Sequence, residues 1–252
     1  MHNRMARRVG LVGLAVAAAL VAGTAPASAA PGDGSAYVLD VGLTLPVVGA
    51  VNVGPLAESN TDGPTTATLA SVNVPGVLST GVVTSEAIRD DATGVVHSEA
   101  TVANVNIGLA GLGTIGAVEA YCDATQAGNT GGATLANVNL AGITVGANPT
   151  PNFTVSIAGP LPGTTLGQIV FNEQINNPDG SLTVNAIHIK FNALTVATGD
   201  IIISSATCGP AAPPIPLASG AGLWIGLGLI GAAAIPVGIV LLRKRQGGLA
   251  TA

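Results

Sequence analysis

The chain has 252 residues, eight of them Lys or Arg and 13 Asp or Glu, for a formal net charge of −5. Charged residues make up only 8% and aromatics 2%, while 35 glycines and 16 prolines punctuate the rest. The abundance of Val, Ile and Leu excludes a charge-rich disordered chain, and the shortage of bases excludes phosphate-backbone binding, so nucleic acid is not an expected partner.

The bases are not spread evenly. Arg4, Arg7 and Arg8 stand near the start and Arg243, Lys244 and Arg245 near the end. The section between holds Arg89 and Lys190 against all 13 carboxylates, a net of −11. An acidic section of this kind suits solvation before it suits any particular ligand.

Residues 1–29 read as a secretory signal. The three arginines form its positive region, residues 9–22 are apolar but too short to span a bilayer comfortably, and Ala27-Ser28-Ala29 supplies small residues for cleavage. Cleavage is expected after Ala29, with Ala30 as the new N-terminus, because a cut after Ala30 would leave Pro31 there. The Arg7-Arg8 pair fits an ordinary positive region better than a twin-arginine signal, since no polar lead-in or Phe-Leu accompanies it.

A repeat organises the middle section. Ala67-Thr-Leu-Ala-Ser-Val-Asn-Val74 recurs as Ala100-Thr-Val-Ala-Asn-Val-Asn-Ile107 and as Ala133-Thr-Leu-Ala-Asn-Val-Asn-Leu140, 33 residues apart each time. In the second copy Ala103, Val105 and Ile107 alternate with Asn104 and Asn106, a period of two that predicts strands with one apolar face and one amide face. Each of the first two copies leads through a glycine-bearing turn into a second apolar segment, residues 81–87 and 114–120, with Glu86 and Glu119 in the same 33-residue register. The unit predicted is a repeated β-hairpin. A weaker echo follows in residues 182–189 and 200–208.

Strong breakers separate these units: Asn60-Thr-Asp-Gly-Pro64, Gln126-Ala-Gly-Asn-Thr-Gly-Gly132, Asn148-Pro149-Thr150-Pro151 and Asn176-Asn-Pro-Asp-Gly180. No 3.6-residue pattern rises above them. The expected fold over residues 30–208 is all-β, a sandwich or barrel of antiparallel hairpins. A β-solenoid is the alternative that a 33-residue period allows, though the irregular stretch after the third copy interrupts its propagation.

Few side chains here carry chemistry. Cys122 and Cys208 are the only cysteines, sit at matching ends of two related hairpins, and are expected to form a disulfide between neighbouring strands. Two cysteines without a nearby His are too few for zinc. His97 and His188 each lie in or beside a strand with no nucleophile pattern around them, which fits satisfied polar residues better than catalysts. Glu86 and Glu119 are equivalent by repeat, whereas a glycosidase needs two carboxylates in unlike environments. Few aromatics (Tyr37, Tyr121, Phe153, Phe171 and Phe191) are present to hold a sugar. Asp90-Asp91 beside Arg89 lacks the spacing of a calcium loop. No cofactor, metal site or catalytic set is expected.

The C-terminal part reads as an anchor. A Pro-rich stalk over residues 209–216 precedes an uncharged run, residues 217–242, and then the Arg243-Lys244-Arg245 stop. The 22 residues from Ala221 to Leu242 make about 33 Å of helix, enough to cross a bilayer. Trp224 near its outer end and the basic cluster at its inner end give a single-pass type I arrangement, with the β-domain extracellular and residues 243–252 cytoplasmic. The expected partners are the membrane and some component of the cell envelope.

Residues 81–87, the Val118-Glu-Ala-Tyr-Cys122 phrase and the closing segments 168–174, 183–189 and 198–208 together resemble the choice-of-anchor P family of actinobacterial surface proteins. The resemblance covers roughly residues 36–209 and implies a secreted β-rich domain with an interchangeable C-terminal anchor; it implies no activity and no catalytic set. Related anchors are sometimes sortase signals. The nearest match, Leu217-Ala218-Ser219-Gly220, lacks the threonine a sortase attacks, which favours a retained membrane helix over wall attachment. The expected function is a non-enzymatic surface role in structure, adhesion or envelope interaction. The alternative is an extracellular hydrolase built from dispersed Glu, Asp and His, which requires His97 or His188 to meet both a carboxylate and a Ser or Thr hydroxyl in a concave pocket.

Overall fold

The structure, a computed structural model, describes residues 31–213. The expected signal with Ala29 and Ala30, the span over residues 217–242 and the Arg243-Lys244-Arg245 cluster lie outside the described residues. Among those described, no helix is long and apolar enough to cross a membrane.

The described chain is all-β with antiparallel sheets. Its strands are β1 (Gly34–Leu45), β2 (Gly49–Leu56), β3 (Ser59–Asn60), β4 (Thr66–Leu69), β5 (Val72–Val74), β6 (Leu78–Thr80), β7 (Val83–Asp90), β8 (Val95–Ile107), β9 (Gly113–Thr125), β10 (Gly128–Leu140), β11 (Phe153–Ala158), β12 (Thr165–Asn176), β13 (Leu182–Ala193) and β14 (Ala197–Cys208). One seven-stranded sheet has the order β11-β12-β13-β14-β1-β2, with β3 on β1. The other, also seven-stranded, runs β10-β9-β8-β6-β5, with β7 and β4 continuing beside β8. The sheets pack face to face, β14 against β8 and β9 and β13 against β9 and β10, and do not close into a barrel. Antiparallel pairing throughout also sets aside the solenoid, whose stacked coils pair in parallel.

The three repeat copies lie in the second sheet and alternate with their return strands, as a hairpin repeat requires: β9 separates the second from the third, and β6 and β7 separate the first from the second. The second copy ends β8 and the third ends β10, while the first is split between β4 and β5. The alternation expected across Ala103 and Asn104 is only half right. Val96, Ser98, Ala100 and Val102 point into the core, then Val105 and Ile107 do, so the inward parity switches between them. The switch falls on Asn104, at φ 51°, and its repeat equivalent Asn137, at φ 52°. Asparagine is among the few non-glycine residues that accept this left-handed conformation. Both fall in the gap that each pairing leaves opposite Gly116 of β9, between its Ile115 and Ala117 partners, and a Cβ added to Gly116 would stand 2.9 Å from that of Asn137. The repeated Ala-Asn-Val-Asn phrase therefore encodes a kink carried across adjacent strands as well as a strand.

The first sheet is kinked in the same way. Asn172 and Ser204 take φ 50° and 57°, and on β14 the inward set changes from Ile201 and Ile203 to Ala206 and Cys208. The Ser204 hydroxyl donates to the Val118 carbonyl of the opposite sheet at 3.4 Å, so the two bends face one another. Between them lies one continuous core, whose largest fully buried side chains include Phe171, Leu39, Leu43, Ile107, Ile115 and Leu135.

The ends of the domain meet. β1 pairs with β14 from Gly34↔Cys208 to Thr44↔Thr198, and the flanking chain continues the contact: Gly32 donates to the Pro210 carbonyl at 2.8 Å and Gly209 to that of Asp33 at 2.7 Å. The described start of the expected stalk is held against the domain. Ala212 donates to the Gly94 carbonyl at 3.0 Å, and the Gln126 side-chain amide donates to the Ala212 carbonyl at 2.7 Å.

Replacing Asn137 with Val, a β-branched residue that does not tolerate φ 52°, should cost about 1–3 kcal/mol in urea unfolding. Asn137→Gly should cost little. Equal effects of the two substitutions would show that the kink is not what the asparagine provides.

Candidate functional site

Three groups of side chains stand out: the cysteine pair and one histidine–carboxylate group on each outer face. Cys122 of β9 and Cys208 of β14 are bonded, with their Cα atoms 5.6 Å apart. They belong to opposite sheets. The pairing is as expected, but the two strands do not lie side by side: the echo of the repeat in residues 182–208 builds the facing sheet, and the bond crosses the core. Both residues are fully buried.

On the outer face of the first sheet, Glu173 of β12 is the focus. Its Oε2 accepts from His188 Nδ1 at 2.6 Å and from Asn185 Nδ2 at 2.8 Å, and its Oε1 accepts from Lys190 Nζ at 2.9 Å. The register explains the convergence. Glu173 pairs directly with Asn185, and the parity switch on β13 turns Asn185, His188 and Lys190 to the same outer side. Glu173 is only 8% exposed. Burial alone would favour its protonation, but the hydrogen bonds from His188, Lys190 and Asn185 outweigh it and hold the carboxyl at about 2, below its ordinary 4.5. The His188 Nε2 atom is buried without a hydrogen bond, with Asp200 Oδ1 at 3.4 Å. Beside this group, Tyr37 is pushed up in pKa by burial, against a hydrogen bond with Ser205 that lowers it.

The outer face of the second sheet is more acidic and more open. His97 Nδ1 donates to Asp123 Oδ1 at 2.6 Å across the β8–β9 pair, and Glu99 Oε2 lies 3.6 Å from Nε2. Desolvation opposes the imidazolium, but Asp123 and then Glu99 overcome it and raise the His97 pKa. Glu119 is raised by desolvation and by the nearby charge of Glu99. A shallow depression of about 260 Å³ on this face is lined by Thr66, Thr68, Thr84, Ser85, Glu86 and Glu99.

The sequence register of Glu86 and Glu119 does not survive folding. Glu86 pairs with Glu99, whereas Glu119 pairs with Thr101 and Thr134. The turn between β8 and β9 spans residues 108–112 and that between β5 and β6 residues 75–77, and the two extra residues slide the return strand. Asp90 is occupied locally: Oδ1 accepts from the Ala92 amide at 2.9 Å and Oδ2 from the Thr93 hydroxyl at 2.7 Å. Asp91 accepts from Arg89 Nε at 2.9 Å. Among the described residues no group of three or more His, Cys, Asp or Glu is placed to hold a metal ion.

Each histidine has its carboxylate, but they stand on opposite outer faces. The hydrogen bonds that the two imidazoles make are to carboxylates, not to a Ser or Thr hydroxyl. The chemistry both arrangements offer is charge-assisted hydrogen bonding between strands. The Glu173 group was not foreseen. Its trace in the sequence is His188-Ile189-Lys190, two basic-type side chains at period two inside an apolar strand, in a middle section with only two Lys or Arg. Comparison with known proteins found no matching family model, no matching curated protein and no matching solved structure.

Two outcomes are expected. Replacing both cysteines with Ala opens a loop of 86-residue separation and should lower stability by about 4–5 kcal/mol in denaturant unfolding; a change under 1 kcal/mol would contradict this. Because the Glu173 carboxyl is lowered in the folded state, its contribution is complete above pH 4.5 and fades as pH falls towards about 2. Over that window the native protein should lose on the order of 3 kcal/mol that Glu173→Gln does not lose. Parallel acid-unfolding profiles of the two would show that the cluster does not hold the charge.

Proposed function

We propose that the chain is an exported surface protein, held in the membrane by residues 217–242, whose β-domain acts in structure, adhesion or envelope interaction rather than catalysis. The observation that carries this reading is the meeting of both chain exits at one end of the sandwich, clamped by the Gly32–Pro210, Asp33–Gly209 and Gly94–Ala212 hydrogen bonds. A module whose two ends leave together is presented by a single tether, and its far end is turned away from that tether. A buried disulfide fits an oxidising compartment outside the cell.

The same reading assigns the histidine–carboxylate pairs to the sheets that carry them. It places the chain with the choice-of-anchor P family, as an interchangeable surface domain. Two flanking segments define its topology: a signal cleaved between Ala29 and Ala30, and the Arg243-Lys244-Arg245 stop on the cytoplasmic side.

Cell fractionation tests this directly. The mature chain should begin at Ala30, sediment with membranes, and be released by detergent but not by muramidase. Release by muramidase alone would replace the membrane anchor with wall attachment, and a soluble chain retaining Met1 would end the reading altogether.

A further inference from the structure

The two ends of the sandwich are chemically unlike. At the end where the chain enters and leaves, the turns and exits carry Asp33, Asp62, Arg89, Asp90, Asp91 and Asp179. At the opposite end the turns carry no charge. In the first sheet these are residues 46–48 between β1 and β2, 159–164 between β11 and β12, and 194–196 between β13 and β14. In the second sheet they are residues 75–77 and 108–112.

The aliphatic side chains most exposed on the described surface gather at this uncharged end. Val47 is 96% exposed, Leu194 83%, Val48 74% and Leu161 66%; the next, Val82, is 52% exposed and lies elsewhere. Sheet order explains the gathering. The strand sequence β11-β12-β13-β14-β1-β2 sets three hairpin tips side by side at one edge of one sheet. With strands about 4.8 Å apart, the tips stand about 10 Å from one another. They form a short row of apolar points on top of the molecule. Both exits of the described chain lie at the other end.

We propose that this row is a lipid-contacting surface: resting on the anchored topology above, which turns this end away from the bilayer that holds residues 217–242, Val47, Val48, Leu161 and Leu194 enter the apolar layer of a second, uncharged lipid interface facing it. A rigid protein partner needs a matching relief and a polar rim around an apolar centre. The tips are instead separate and convex, and their turns hold no charge to pair. A fluid apolar phase conforms to convex points and penalises only charge, which these turns exclude and the opposite end concentrates. The two depressions noted on the surface, one lined by Thr66, Thr84 and Glu99 and the other by Asp33, Asp62 and Thr207, both lie away from this row.

The test holds the full chain through residues 217–242 in nanodiscs of ordinary phosphatidylcholine and adds separate vesicles of brominated phosphatidylcholine, whose acyl chains quench a fluorophore that enters them. Entry of the chain into the nanodiscs reads the anchor separately from the tips. An environment-sensitive probe is attached through Thr195→Cys, beside Leu194, or through Ala92→Cys at the charged end, with the native disulfide left intact. The probe at 195 should be quenched and the probe at 92 should not, and 1 M NaCl should leave the difference unchanged because no charge is involved. Adding Val47→Ser, Val48→Ser and Leu161→Ser should reduce the quenching at least fivefold while thermal unfolding stays the same. An unquenched probe at 195 overturns the proposal. If that probe is nevertheless blue-shifted, a second copy or another protein covers the tips. Quenching abolished by salt would equally overturn it, by showing an electrostatic contact instead.

Discussion

The antiparallel pairing of the first strand with the last is the constraint on which the rest of this structure depends. β1 lies between β14 and β2, so the sheet that holds the end of the chain is completed by its beginning. Such a pairing joins residues more than 150 positions apart and is stable only once the intervening strands have folded. Its consequences reach the whole molecule. It seats Cys208 at the end where Cys122 waits in the facing sheet, brings both exits together, and lines up the tips at the opposite end. Gly34 marks how tightly the join is made: a Cβ there would stand 2.5 Å from Val96 and 2.6 Å from the Ser98 hydroxyl across the core.

The kinks are the second shaping element. A long strand with strict alternation keeps one face inward along its whole length. Here left-handed residues at Asn104, Asn137, Asn172 and Ser204 switch the inward face part-way, in both sheets. On β13 the switch turns Asn185 to the same outer side as His188 and Lys190, so three donors converge on Glu173. A carboxylate this enclosed is tolerated because every donor around it favours the charged form. The network lies on the outer side of a sheet whose inner side is aliphatic, so it ties β12 to β13 without interrupting the core.

Much of the architecture was legible in the residues because it is local. The 33-residue repeat, the turn clusters and the lack of a helical period all describe short stretches, and they lead to antiparallel hairpins. The cysteine pairing was legible too, since only two cysteines exist. What could not be read is what depends on distant parts of the chain. The echo in residues 182–208 resembles the repeat yet builds the other sheet, so the bond crosses between sheets. Asn104 reads as the polar half of an alternation, and only its backbone angle shows that it ends one. The 33-residue register of Glu86 and Glu119 is undone by two extra turn residues, which no spacing rule on the strands themselves contains. The Glu173 cluster depends on a cross-strand neighbour 15 residues away from His188.

Native-state hydrogen exchange is the most direct measurement of the terminal pairing. If β1 closes the first sheet, the inward-bonded amides of residues 38–43 exchange only through global unfolding, at the same free energy as those of residues 201–206 in β14. Exchange of residues 38–43 at the rates of a frayed terminus, with β14 still protected by β13 alone, would contradict the account.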